Sequence, residues 1–452
     1  MPADNITPPS EYTLLIQLAA RCIGKLTLDK STNLLKLEYE QDWQQTGFPL
    51  SPALTLNNVH SPEVAYNYLD NALPEGEARK LLSEHLGVSE KNVYSQVRAI
   101  GNDLAGAFSF KASRQKSYNA SETTGPQFRV IEPDELTRRL ASKEDIGLLT
   151  WDDKPRLSVA GVQDKLNIFI NEQGKLGFGD GTLCSTHILK FEKHNCPNLV
   201  LNEYFCMKLS KAAGLPTAEV QFTRFEQYPA LIVERFDRKY APEQSKVFRR
   251  HVIDGCQALN LPRDYKYERN LGDGRDVRHI RDGASLPRLF ELAHTMTSPV
   301  ESLQWLINWQ LFNLMISNYD SHGKNVSVFF DKHNNRFTPA YDLVNVAMFP
   351  QFKHMLAMAI GDEFEPTSIN AYQLADFAET CGVNKKLLSR QLSDLADNVI
   401  AILTQQPFIE TITQETHFTE DDRHYMAEVQ AHILARTKHL RSQAPDIPSI
   451  EV

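Results

Sequence analysis

The chain has 452 residues, 42% of them hydrophobic and 23% charged, and a formal net charge of -9 at pH 7. That length is too great for one ordinary core, so two or three cores in contact are expected, and the globular composition predicts that most of the chain folds. The acidic balance argues against a uniformly basic nucleic-acid binder, though not against a local basic patch.

The first residues, Met1-Pro2-Ala3-Asp4-Asn5, carry no basic region and do not read as a signal peptide. Residues 12–17 and 24–38 are rich in Leu, Ile and Thr and read as short strands, with Gly24 or Asp29-Lys30-Ser31 supplying turns. Ser61-Pro62-Glu63 opens a helix: Ser61 can cap it, Pro62 suits the first turn and Glu63 suits the N-terminal dipole. A second helix is expected from about Glu75 to Leu86. The polar, turn-forming stretch 114–126 marks a boundary.

Beyond about 155 the pattern changes. Leu166–Ile170, Thr186–Phe191 and Ala230–Val233 read as strands. Leu201, Phe205, Leu209 and Ala212 recur at helical spacing, and Gly214 and Pro216 end that helix. From about 285 the chain is mostly helical. Trp305, Trp309, Phe312 and Ile316 mark one strongly apolar helix, Val326–Phe330 interrupts as a strand, and 370–442 is helical again. Strands followed by helices give an α+β class. No apolar run reaches the roughly 18 residues of a membrane span. Six scattered cysteines, none in a Cys-x-x-Cys pair, point to free thiols in a reducing, cytoplasmic setting. His432 and His439 share a helical face without a zinc motif and are expected as surface histidines.

The chemistry concentrates in Ser317-Asn318-Tyr319-Asp320-Ser321-His322-Gly323-Lys324-Asn325-Val326. This polar run lies between an apolar helix and a strand, so it must form a tightly held loop. Asp342 follows within Pro339–Val344. Phosphoryl transfer needs these residue types: a carboxylate to orient a hydroxyl and take its proton, and an amide and an acid as oxygen ligands for metal ions. Asp320 suits the base, Asn325 and Asp342 suit the metals, and Lys324 suits neutralisation of charge on the moving phosphate. Turn capping explains any one of these residues alone, but not all three acids and amides in register with an upstream lysine. Lys190 projects from a strand as phosphate-holding lysines do, and Glu203 on the next helix can pair with it. Glu234-Arg235-Phe236-Asp237 ends a buried strand, where backbone groups can read an adenine edge while Phe236 packs nearby. Ser158-Val159-Ala160-Gly161-Val162-Gln163-Asp164-Lys165 has a single glycine and no Walker signature, so on its own it is a weak phosphate-loop signal.

These stretches resemble HipA, the kinase toxin of bacterial HipBA toxin–antitoxin modules. The matching runs are Ser158–Lys165, His187–Lys190, Asn202–Phe205, Glu234–Asp237, Asp320–Asn325, Tyr341-Asp342, Met355–Ile360 and Asn71–Pro74, and the likeness extends from about 12 to 440. The resemblance implies a two-lobed, protein-kinase-like α+β fold. Its parts are a small N-terminal subdomain (1–125) on the N-lobe, an N-lobe with ATP loop and hinge (126–240) and a mostly helical C-lobe (241–445). It implies Asp320 as base with Lys324 in the catalytic loop, and Asn325 and Asp342 as Mg2+ ligands. It implies ATP contacts from Ala160, Gly161, Val162, Gln163, Asp164, Lys165, Lys190, Glu234, Arg235, Phe236, His322, Gly323, Asn325, Tyr341 and Asp342. It implies autophosphorylation at Ser158, where a new dianion conflicts with the ATP phosphates and silences the kinase. The partners implied are a HipB-like helix-turn-helix antitoxin dimer, operator DNA through that complex, and a protein of the translation machinery such as an aminoacyl-tRNA synthetase as substrate.

Two other readings compete. A small-molecule or lipid kinase needs the same base and metals, but a lipid kinase needs a membrane-binding face that the sequence does not display. A DNA-bound corepressor without catalysis has no need of Lys190, Asp320, Asn325 and Asp342 together. The basic run Asn384–Arg390 reads as a solvated helix face, and 1–11 and 443–452 as extensions without order.

Overall fold

The computed structural model describes residues 12–112, 126–142, 150–152, 154–156, 165–192, 195–405, 407–414 and 417–452. The N-terminal sheet contains Thr13–Leu18, Arg21–Leu28, Leu35–Tyr39 and Phe108–Ala112, all antiparallel, with Thr13–Leu18 paired to both Arg21–Leu28 and Phe108–Ala112. Helices Pro62–Ala72, Gly76–Leu86 and Val93–Ile100 lie between its third and fourth strands. Pro62 sits in the first turn as expected, but Ser61 makes no side-chain cap bond.

A six-stranded antiparallel sheet follows, in the order 220–225, 228–234, 187–191, 165–170, 176–180, 127–130. Its central strand His187–Phe191 pairs with Lys165–Ile170 on one side and Tyr228–Glu234 on the other. That register sets Lys190 directly opposite Lys165. Side chains opposite one another share a face of the sheet, and like charges so placed repel unless an anion lies between them. Helix Leu199–Ala212 packs on this sheet and ends where Gly214 adopts φ 89°.

The helical region contains Leu286–His294, Pro299–Met315, Ala371–Thr380, Lys385–Gln405 and Glu420–Gln443. Pro299–Met315 is the apolar helix expected from its tryptophans, with Trp305 stacked on both Trp309 and Phe337. Thr419 caps the last long helix through a reciprocal bond with Asp422, and Asp422 also receives two bonds of 2.6 Å from Arg224 on the sheet.

The cores are less separate than chain length implied. One continuous apolar cluster runs from Leu14 and Ile16 through Phe205, Phe312 and Leu374 to Ile433 and Ile447, and a smaller one around Trp151 and Leu189 covers the other face of the six-stranded sheet. The N-terminal subdomain grips the helical lobe as well as the N-lobe: Gln257 donates to Tyr68 O, Asn71 donates to Leu261 O, and His251 bonds Leu50 O. Residues 443–452 differ from the expectation of disorder. Ala444–Ser449 forms a short 3-10 turn with Ala444 and Ile447 fully buried, and Ser389 donates to Ala444 O. The cause is apolar burial, which a stretch of ten residues broken by two prolines hides from inspection. All six cysteines are free and five are buried. No helix among the described residues is long and apolar enough to cross a membrane.

Candidate active site

Between the six-stranded sheet and the helical lobe lies a cavity of about 840 Å³ whose wall includes Lys165, Lys190, Glu234, Phe236, Asp320, Asn325 and Asp342. Its floor is built first from register. Lys165 and Lys190 point the same way from adjacent strands, and Asp342 lies between them, with Lys165 Nζ 3.8 Å from its Oδ2 and Lys190 Nζ bonded to its Oδ1. Lys190 also pairs with Glu203 at 2.5 Å, where the two side chains are only 4% and 1% exposed. Burial opposes a charge on each group; opposite charges override it at Asp342 and Lys190, while at Glu203 burial prevails and pushes the carboxyl above its ordinary value. The Lys165 and Lys190 ammonium groups hold the Asp342 carboxyl below the usual carboxylate range despite burial. Asp342 and Glu203 hold the Lys190 ammonium above its usual range despite burial. Lys165 is pushed below its ordinary value by burial.

Asp342 stands at φ 53°, in the left-handed region that Asp tolerates better than most side chains. Asn318 Nδ2 reaches Asp342 O at 3.4 Å and Asn313 Oδ1 at 2.8 Å, tying this turn to the end of the apolar helix.

The loop after that helix winds tightly. His322 N donates to Asp320 O at 2.8 Å, Asn325 N to His322 O at 2.9 Å, and Asn325 Nδ2 to Asp320 O at 2.9 Å. Because the amide nitrogen of Asn325 faces the loop, its oxygen is the end available as a ligand. Gly323 is required by packing: a Cβ there would lie 2.4 Å from the Cβ of Ala284, and a Cβ on Gly255 would lie 2.4 Å from Gly323 O. His322 is buried, and that burial pushes its imidazole below the ordinary value. Tyr341 Oη donates to Lys324 O at 2.8 Å and bonds Ser327 Oγ at 2.6 Å, bracing the loop from below.

Three expectations meet a different geometry. Lys324 does not face a phosphate position: its ammonium donates to Asn71 O at 2.6 Å and Asp254 Oδ2 at 2.9 Å and pairs with Glu75 Oε1 at 3.3 Å, with the side chain 4% exposed. Sequence order reveals that a lysine is in the loop but not which way it points. The Arg235 guanidinium is likewise buried, bonded to Asp237 and to Ser185 Oγ, with Asp103 at 3.8 Å. Arg238 pairs with the same Asp237 and Asp103, so the hinge end is locked to the N-terminal subdomain. Burial opposes ionisation of Asp237, but the two guanidinium groups hold its carboxyl far below the usual range. The Glu234 and Arg235 amides donate to Glu219 O and Thr186 O within the sheet, while Phe236 packs between Phe329 and Tyr341. Ser158, Ala160, Gly161, Val162, Gln163 and Asp164 lie outside the described residues; Lys165 opens a strand.

The structure also brings in residues that no motif announces. Tyr267 Oη donates to Asp320 Oδ1 at 2.7 Å. Lys266 O accepts from Gly323 N at 2.9 Å, and Lys266 Nζ bonds Glu75 Oε2 at 2.7 Å. Burial opposes the Glu75 charge, but Lys324 and then Lys266 lower its pKa to about 2.

A family model for the HipA-like C-terminal domain matches residues 157–403, and one for the HipA N-terminal domain matches 14–111. The chain is 42% identical to the serine/threonine-protein kinase toxin HipA of Shewanella oneidensis, over 97% of this chain and 98% of that protein. It is 29% identical to a putative kinase of Sinorhizobium fredii, over 84% and 88% of the two chains. The solved structure of the Shewanella oneidensis HipA, HipB and operator DNA complex superposes with a TM-score of 0.87 at 41% identity, covering 97% of this chain and 100% of that one. The fold is thus the two-lobed, kinase-like one that the motifs implied, and this chain belongs to the HipA family of serine/threonine-protein kinases.

Proposed function

We propose that the chain transfers the γ-phosphoryl group of ATP to a serine or threonine hydroxyl of a protein, with Asp320 as the base. The observation that carries this reading is the convergence of Asp320, Asn325, Asp342 and the Lys190–Glu203 pair on one cavity. Asp320 orients the acceptor hydroxyl and takes its proton as the oxygen–phosphorus bond forms; the bond from the γ-phosphorus to the β,γ-bridging oxygen breaks and ADP leaves. Lys190 and Lys165 supply positive charge for the phosphate chain, and Glu203 fixes Lys190. Tyr341, Gly323 and His322 shape the loop wall, and the strand end at Glu234, Arg235 and Phe236 borders an adenine edge, with the Glu234 and Arg235 amides and the Arg235 side chain occupied elsewhere. The oxygen-only pair of Asn325 amide and Asp342 carboxylate suits a hard divalent cation such as Mg2+, which when bound neutralises charge on the phosphates.

The loop from Ala160 to Asp164 completes the ATP site in this reading, and Ser158 is the self-modified residue whose phosphorylation silences the enzyme. The Shewanella oneidensis relative, whose chain is covered end to end, is solved with HipB and operator DNA. By that likeness this chain acts as the toxin of a two-component module, bound by a helix-turn-helix antitoxin dimer and carried to operator DNA as a corepressor. Its target is a protein of the translation machinery, with an aminoacyl-tRNA synthetase as the class to test first.

The deciding experiment is mass spectrometry of the full chain incubated with ATP and magnesium beside Asp320→Asn. Phosphate on Ser158 in the parent alone supports base and switch together. Equal phosphate in both variants removes Asp320 from the role of base.

A further inference from the structure

Two segments hold Asp320 in place, and they are far apart in sequence. One is its own loop, through Gly323 and Lys324. The other is 266–267, where Lys266 O accepts from Gly323 N and Tyr267 Oη donates to the Asp320 carboxylate. A single side chain joins the two. Glu75 places Oε1 3.3 Å from the Lys324 ammonium and Oε2 2.7 Å from the Lys266 ammonium. Glu75 comes from neither lobe. It precedes helix Gly76–Leu86 of the N-terminal subdomain, and Asn71 of the same subdomain adds its carbonyl to Lys324 at 2.6 Å.

We infer that Glu75 is a positioning residue for phosphoryl transfer, clamping the two segments that aim Asp320. The inference rests on the kinase reading above. Its physical basis is that a carboxylate 9% exposed, hydrogen-bonded to one ammonium and ion-paired with the other, ties the two segments together across a poorly hydrated gap. Lys266 belongs to the segment whose carbonyl holds Gly323 and whose Tyr267 holds Asp320, and Lys324 belongs to the catalytic loop itself. Lys324 has a second anion in Asp254 at 2.9 Å, so loss of Glu75 charge loosens the clamp without stranding that ammonium. The nucleotide end stands apart, because Lys190, Glu203 and Asp342 are held by one another. Through Glu75 the N-terminal subdomain thus bears on the chemical step, by contacts separate from those that Asp103 makes with Arg235 and Arg238 at the hinge.

The test uses the full chain with ATP and magnesium, scoring transfer both to itself and to a mixed serine/threonine peptide library. Wild type, Glu75→Gln and Asp320→Asn run side by side, with ATP affinity and thermal midpoint measured for each. Glu75→Gln is expected to lower kcat by about tenfold to 100-fold, the scale of a displaced catalytic group, with ATP affinity unchanged. Lys266→Met removes the other partner yet keeps its carbonyl, and is expected to show the same split; it stands in if Glu75→Gln does not fold. Wild-type kcat in a folded variant, or a parallel loss of ATP affinity and thermal midpoint, overturns the inference. A wild type as inert as Asp320→Asn overturns the kinase reading itself, and the inference with it.

Discussion

Tyr267 donates its hydroxyl to Oδ1 of Asp320 at 2.7 Å while its ring meets His322 edge-on, 5.1 Å between centroids. Burial first, and then the Asp320 charge, push the phenol above its ordinary range, so it remains a donor. The bond fixes one carboxylate oxygen and leaves Oδ2 for the acceptor proton. Tyr267→Phe keeps the ring and removes the donor. A fall of about tenfold in kcat is expected, matching about 1.5 kcal/mol for one hydrogen bond to a charged group, with the ATP KM unchanged. Steady-state kinetics at saturating ATP checks it.

Asp320→Asn keeps the shape of the side chain and loses the proton acceptor. Transfer is expected to fall by at least about 100-fold while the circular dichroism spectrum and thermal midpoint stay at wild-type values. An asparagine variant with parental turnover removes Asp320 from the chemistry.

Glu203→Gln leaves the nearly buried Lys190 ammonium with Asp342 as its remaining counter-charge. Removing one partner of a buried ion pair costs about 3 kcal/mol of folding stability. Urea unfolding followed by tryptophan fluorescence would register it as a lower midpoint, and an unchanged midpoint would show that Asp342 alone suffices.

His251 is 2% exposed, bonds Leu50 O at 2.8 Å and packs against Phe108. Burial lowers its pKa from 6.5 to about 4, against the opposing pull of the Leu50 carbonyl, Asp237 and Asp331. The native state thus favours the neutral ring. Below pH 6.5 the unfolded chain takes up the proton first, so stability present above pH 6.5 is lost as pH falls toward 4, by about 3 kcal/mol. Comparing the pH dependence of unfolding in wild type and His251→Gln isolates this slope, which is expected to flatten in the variant.

Ile447→Ala opens a cavity in the main apolar cluster, where Ile447 is fully buried. A loss of about 2 to 5 kcal/mol is expected, readable in the same urea assay. A change near zero would mean that the tail contributes nothing to the core.

The parts of this site that were legible in the sequence are those set by local periodicity and register. Strand alternation places Lys190 on a defined face, helical spacing lets Glu203 meet it, and a polar run between an apolar helix and a strand has to be a loop. Asp320, Asn325 and Asp342 converge on the cavity for those reasons. What was illegible depends on which way a side chain turns or on contacts across long separations. Lys324 turns to Asn71 and Asp254, Arg235 turns to Asp237, and Glu75 reaches Lys266 from a different part of the chain. Tyr267 lies in an irregular stretch with no periodicity to betray it. The tail at 444–449 reads as polar because two buried side chains, Ala444 and Ile447, suffice to seat it.

Leu14 and Ile447 belong to one uninterrupted apolar cluster, which bears on the order of events during synthesis. The strand Thr13–Leu18 can pair as soon as Arg21–Leu28 and Phe108–Ala112 are made, whereas the cluster as a whole closes only with the helix Glu420–Gln443. A polypeptide stopped before Glu420 would leave that cluster without Met426, Val429 and Ile433, all fully buried. Removing 420–452 is therefore expected to expose apolar surface of the main cluster and to favour aggregation over a stable fold.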